Sequence, residues 1–123
     1  MRILWIDDEP GRWSILQKAL LSRTYFHKQI AVEDVTFAHG YEQIKHYLNF
    51  MEWDYILLDG DMPLMSGPDV VDIFLCERNI PVIIVSMNTD KAKQMAGLLE
   101  EYQVPVTIAP ISNPQLIVKA LDP

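Results

Sequence analysis

The 123-residue chain carries ten Lys plus Arg against 17 Asp plus Glu, a formal charge of −7 with no basic run, which disfavours extended nucleic acid as a partner. Half the residues are apolar and 22% are charged, so the composition is that of an ordinary globular chain, and the length suits a single domain, 1–123, with a true core. One cysteine, Cys76, leaves no internal disulfide, and neither a leader pattern at MRILWIDDEP nor about 18 uninterrupted apolar residues occurs, so the expectation is a cytoplasmic protein without a membrane span.

The first predicted strand, 2–6, closes in Asp7-Asp8-Glu9. A helix from 11 to about 23 follows, with Trp13, Leu16, Leu20 and Leu21 on one stripe. Residues 24–33 (TYFHKQIAVE) are open to loop, helix extension or strand, and the second strand is placed at 31–38. His39-Gly40 then marks a turn into a helix over 41–50, whose apolar stripe is Ile44, Tyr47 and Leu48. The third strand, 55–58, closes in Asp59-Gly60-Asp61 and is followed by a helix over 67–77 carrying Val70, Val71, Phe74 and Leu75, in which Cys76 reads as core filler. The fourth strand, 81–85, closes in Ser86-Met87-Asn88, and the next helix, 91–102, places Met95, Leu98, Leu99 and Tyr102 on its inner stripe. A fifth strand, 105–109, ends at Ala109-Pro110, and a last helix spans 114–121.

The runs YILL and PVIIV are continuously apolar rather than alternating, which marks strands covered on both faces. Strand and helix alternate five times, so the fold class is α/β, a doubly wound five-stranded parallel sheet of the flavodoxin-like kind. In such sheets ligands bind beyond the carboxyl ends of the strands. Two of those ends deliver at least four acidic groups, Asp7, Asp8, Asp59 and Asp61, to one rim. Like charges that close repel unless some protonate or a cation binds, and hard oxygen donors without His or Cys favour Mg²⁺. The competing reading is structural, since acids before a helix also cap its free N–H groups and Pro63 also serves a turn. His27, His39 and His46 lack metal-ligand spacing and read as surface or cap residues, Trp5, Trp13 and Trp53 as packing groups, and Ser66 as a helix cap.

The pieces ILWIDDEP, FAHGYE, YILLDGDMPLMSGPDV and PVIIVSM, with the tail from Pro110, resemble the response-regulator receiver domain over nearly the whole chain. The resemblance implies a (βα)5 receiver in which Asp59 is the phospho-acceptor and Asp7 and Asp8 hold Mg²⁺. Asp61 would add its backbone carbonyl, and Ser86 would hydrogen-bond the phosphoryl oxygens. It also implies a protein partner in trans, a kinase or an output protein, and leaves a homodimer open. Three positions depart from the family pattern: Ala109 stands where a lysine is usual, Met87 follows the hydroxyl where a small residue is favoured, and Val106 replaces the aromatic switch residue. The run VSMNTDKAKQMAGLLEEYQVPVTIAP, with LWIDDEPGRW and the Asp59-x-Asp61 pair, is similar to a divergent receiver branch proposed to process or sense cyclic phosphates. That likeness would give Asp61 and Asn88 roles beside Asp59 and Ser86 in a metal-dependent phosphoesterase or a cyclic-phosphate binder. A further alternative is a pseudo-receiver that binds its partner without phosphorylation.

Overall fold

The computed structural model describes residues 2–7, 35–59, 79–86 and 89–110. Five parallel strands, β1 (Ile3–Ile6), β2 (Val35–Ala38), β3 (Tyr55–Asp59), β4 (Val82–Ser86) and β5 (Val106–Pro110), form one sheet in the order β2-β1-β3-β4-β5. Two described helices, α1 (Tyr41–Phe50) and α2 (Thr89–Glu101), connect β2 to β3 and β4 to β5. The doubly wound parallel sheet expected from the sequence is therefore present. Chain order reverses between β1 and β3, the switch point at whose carboxyl ends ligands of this fold class bind.

Strand period explains the layering. Leu4, Ile6, Ile56, Leu58, Val82 and Ile84 share one cluster with Ile44 and Leu48 of α1 and with Ala92, Met95, Ala96 and Leu99 of α2, so both helices lie on one face. Residues of the other parity, Ile3, Trp5, Leu57, Ile83 and Val85, are equally buried, as a parallel sheet covered on both faces requires. Within α2 the buried positions fall at i, i+3, i+4 and i+7, one helical stripe.

Small corrections to the sequence reading have physical causes. The third and fourth strands run one residue further than expected, because the parallel ladder continues through Asp59 opposite Val85 and through Ser86 opposite Pro110. The second strand is described from Val35, and 31–34 lie outside the described residues. Tyr102 was expected on the inner stripe of the fourth-to-fifth connection and is instead 52% exposed. The helix stops before it: Gln103 N–H donates to Glu100 O and Val104 N–H to Leu99 O, while Gln103 takes φ 61°. That pair of bonds around a left-handed residue is a Schellman closure, and it swings Val104 rather than Tyr102 into the core.

Gly40 caps the start of α1 with φ −168° and ψ 161°, extended backbone open to any residue, so its glycine freedom is not used. The side chain of Gln43 reaches back to accept from His39 N–H at 3.0 Å. At the far end Tyr47 O accepts from both Met51 N–H and Trp53 Nε1–H, and the Tyr47 and Trp53 rings meet edge to face at 6.2 Å. Trp5 and Trp53 are buried packing groups, as the sequence suggested; Trp13 lies outside the described residues. Arg2 O accepts from Asp54 N–H, and the Asp54 carboxylate accepts from Arg2 N–H, which fixes β1 beside β3 at their entry.

Candidate functional site

β1 pairs with β3 so that Ile6 lies opposite Leu58. One residue further, this register carries Asp7 opposite Asp59, and Asp7 N–H also donates to Ala38 O on β2 at 3.1 Å, which holds the chain in line with the sheet. From Asp59 the row continues across the sheet through Val85 on β4 to Ala109 on β5. Asp7, Asp59, Val85 and Ala109 thus form one cross-strand row at the carboxyl edge. Ser86 stands one residue above that row and, by strand alternation, on the face that carries α1 and α2.

Every member of this edge is buried. Asp7 is 0% exposed, Asp59 2%, Ser86 6% and Ala109 1%. These three polar side chains are the buried polar residues among the described ones, and all three sit at this single rim of the sheet. A sheet interior otherwise filled with Ile, Leu and Val concentrates its polar chemistry where ligands of this fold class bind. Neighbouring strands lie about 4.8 Å apart, and two full negative charges at about 5 Å with an effective dielectric near 20 repel by about 3 kcal/mol. Where both are ionised, positive charge beside them lowers that cost.

The donor set tests what that charge can be. Carboxylate, carboxylate and hydroxyl are hard oxygen donors, and Mg²⁺ takes only one or two carboxylates from a protein. His39 and His46 are exposed, and their rings lie against Phe37 in one case and against Tyr47 and Phe50 in the other. Among the described residues no three His, Cys, Asp or Glu side chains gather as a metal site. Asp7 and Asp59 fit a hard divalent cation as two of its ligands; the other two expected ligands, Asp8 and Asp61, lie outside the described residues.

Of the residues singled out in the sequence, the fold brings Asp7, Asp59, Ser86 and Ala109 to one edge. Asn88 and Met87 lie outside the described residues, and the crowding expected of Met87 lies outside them too. Val106 is half-buried at the opposite end of β5 from this rim. One residue the sequence reading passed over is Lys91, which the exposed start of α2 carries just beyond Ser86. Its signal was a basic residue in the first turn of a helix, where the macrodipole favours acids such as the preceding Asp90.

Comparison with known proteins follows the same lines. The family model for the response regulator receiver domain matches residues 3–117. The chain is 33% identical over 94 residues to a protein-glutamate methylesterase/protein-glutamine glutaminase of Bacillus subtilis (strain 168), covering 76% of this chain but 25% of that relative's length. Among solved structures it is similar to the chemotaxis protein CheY4 of Vibrio cholerae, at TM-score 0.72 and 18% identity, covering 98% of this chain and 94% of the other. It is also similar to the response regulator protein TrrA of Thermotoga maritima, solved in complex with Mg(2+)-BeF, at TM-score 0.66 and 20% identity over 98% and 96% of the two chains.

Proposed function

The chain belongs to the response regulator receiver domain family, and from that premise we propose that it accepts a phosphoryl group on Asp59. The observation that carries this reading is the buried pair Asp7 and Asp59 with Ser86 beside them at the switch-point edge of the sheet. In the proposed step an Asp59 carboxylate oxygen forms a bond to phosphorus while the bond from phosphorus to the leaving group breaks, and the leaving group departs with the electron pair. The product is an acyl phosphate. Ser86 would donate its hydroxyl proton to a phosphoryl oxygen, and Asp7 with Asp8 would hold Mg²⁺, with the Asp61 carbonyl as a further ligand. When bound, the cation offsets the negative charge of the transferring group. That the Thermotoga maritima relative was solved with Mg(2+)-BeF supports Mg²⁺ as the ion.

The proposed output is a changed surface read by a protein partner in trans, a kinase on the input side or an effector on the output side. No described helix is long and apolar enough to cross a membrane. The test is intact-mass measurement after incubation with Mg²⁺ and acetyl phosphate. An added phosphate that is absent from Asp59→Asn is expected; no adduct, with a lysine-bearing receiver as positive control, would overturn phospho-acceptance.

One observation favours a second reading. The row that holds Asp7 and Asp59 ends on β5 in the small, uncharged Ala109, so that strand brings no cation to an acyl phosphate. This suits a site that works on a bound cyclic phosphate through a metal, with Asp59, Asp61, Ser86 and Asn88 around the reacting group. Release of monophosphate from a panel of cyclic nucleotides, lost in Asp59→Asn, would favour it. Neither adduct nor release would leave a phosphorylation-independent binding module.

A further inference from the structure

The charge balance of the acidic edge points to a residue outside it. Phosphorylating Asp59 replaces its single negative charge by an acyl phosphate carrying about two, beside the buried carboxylate of Asp7. A divalent cation offsets only part of this, and β5 supplies Ala109. Along the row Ala109 lies two strands from Asp59, about 10 Å, too far for its methyl group to contact anything bound there.

We propose that Lys91 is the cation that contacts the phosphoryl group, a positive charge relocated from the sheet edge to the first turn of α2. This rests on phospho-acceptance at Asp59. Three features of the fold place it. First, α2 begins at Thr89, three residues after Ser86, so its first turn stands at the same rim as the acidic edge. Second, Ser86 belongs to the face of the sheet on which α2 lies. Third, helix phase and crossover hand together direct Lys91 toward β3.

The phase argument runs from the buried stripe. Ala92, Met95, Ala96 and Leu99 face the sheet, and α2 packs over β4 and β5. A parallel crossover is right-handed, so from the helix side with the strands pointing up, β5 lies right of β4 and β3 lies to its left. The right-handed helix descends and turns clockwise seen from above, about 100° per residue. Lys91 precedes Ala92 by one step and falls on the left flank, toward β3, on the face of the sheet that Ser86 shares. Lys93 follows by one step and falls on the right flank, away from β3. Both are exposed. A lysine is a compact ammonium on a flexible four-carbon stem, suited to reach over a rim to a phosphate as a point charge.

The test uses acetyl phosphate and Mg²⁺ on the full chain, with adduct formation followed by intact mass in the wild type, Lys91→Met, Lys91→Arg and Lys93→Met, and urea midpoints recorded for each. The expected result is a slowing of about tenfold in Lys91→Met, substantial recovery in Lys91→Arg, and wild-type rates in Lys93→Met, with midpoints unchanged. Wild-type rates in Lys91→Met would overturn the role of Lys91 while leaving phospho-acceptance standing. Equal slowing in Lys91→Met and Lys93→Met would also overturn it, as a general effect of net charge. No adduct on the wild type would remove the receiver reading and Lys91 with it.

Discussion

In the proposed reading Asp59 would combine two roles that oppose one another, since the burial that would shield a phospho-acceptor from water also sets its charge against that of Asp7. Asp7 directly follows β1 and Asp59 closes the neighbouring β3, and both are essentially inaccessible. Replacing Asp59 by Asn keeps the shape and removes one charge. In a chelating buffer Asp59→Asn is therefore expected to raise stability by about 1–3 kcal/mol, read as an increase in urea midpoint without change in slope. A lower midpoint would mean that the Asp59 carboxylate is held by interactions worth more than the repulsion it suffers. The acidic edge was legible in the sequence because acids at the ends of apolar runs can only lie at a strand rim. That the β1–β3 register, carried one residue on, brings Asp7 level with Asp59, and that Ala109 lies in the same row, was not legible: both depend on register, which inter-strand hydrogen bonds set and a single sequence does not encode.

At the scale of elements, what the sequence concealed is how a helix stops. Continuous apolar runs identified β3 and β4, and a 3.6-residue stripe identified the body of α2, yet the same period carried the reading one step too far, to Tyr102. Neither Gly nor Asn stands at the turn to announce it. Gln103 occupies the left-handed position instead, φ 61°, where a Cβ carries a steric cost of about 1–2 kcal/mol. The structure tolerates that cost because the closure seats Val104 beside Leu99 in the core and satisfies the carbonyls of Leu99 and Glu100. Gln103→Gly should consequently stabilise the chain by about 0.5–1 kcal/mol, after allowing for the greater freedom of glycine in the unfolded state. Gln103→Val should destabilise it, because β-branching is least compatible with positive φ. Thermal midpoints of the two variants test the assignment, and a Gly variant no more stable than wild type would contradict it.

At the scale of the whole molecule, the parallel sheet places the buried polar groups of the described residues at one end, and a ligand bound there would be linked to its stability. Residues 2–7 and 55–59 approach that end from neighbouring strands, so a bound cation ties together segments about fifty residues apart in sequence. The unfolded chain offers no such pairing. A ligand that binds only the folded state stabilises it by about 2.7 kcal/mol at one hundred times its dissociation constant. For a domain of this size that corresponds to a rise in melting temperature of about 10 °C. Mg²⁺ added at constant ionic strength should produce such a rise at saturation, whereas K⁺ should not, because screening alone acts weakly on a buried pair. In Asp59→Asn the Mg²⁺-dependent rise should shrink, since one of the two carboxylates that recruit the ion has gone while the repulsion it relieved has gone too. Equal melting temperatures with Mg²⁺ and K⁺ in the wild type would mean that the acidic edge balances its charge without a divalent ion, and the proposed phosphoryl transfer would lose the group on which its electrostatics depend.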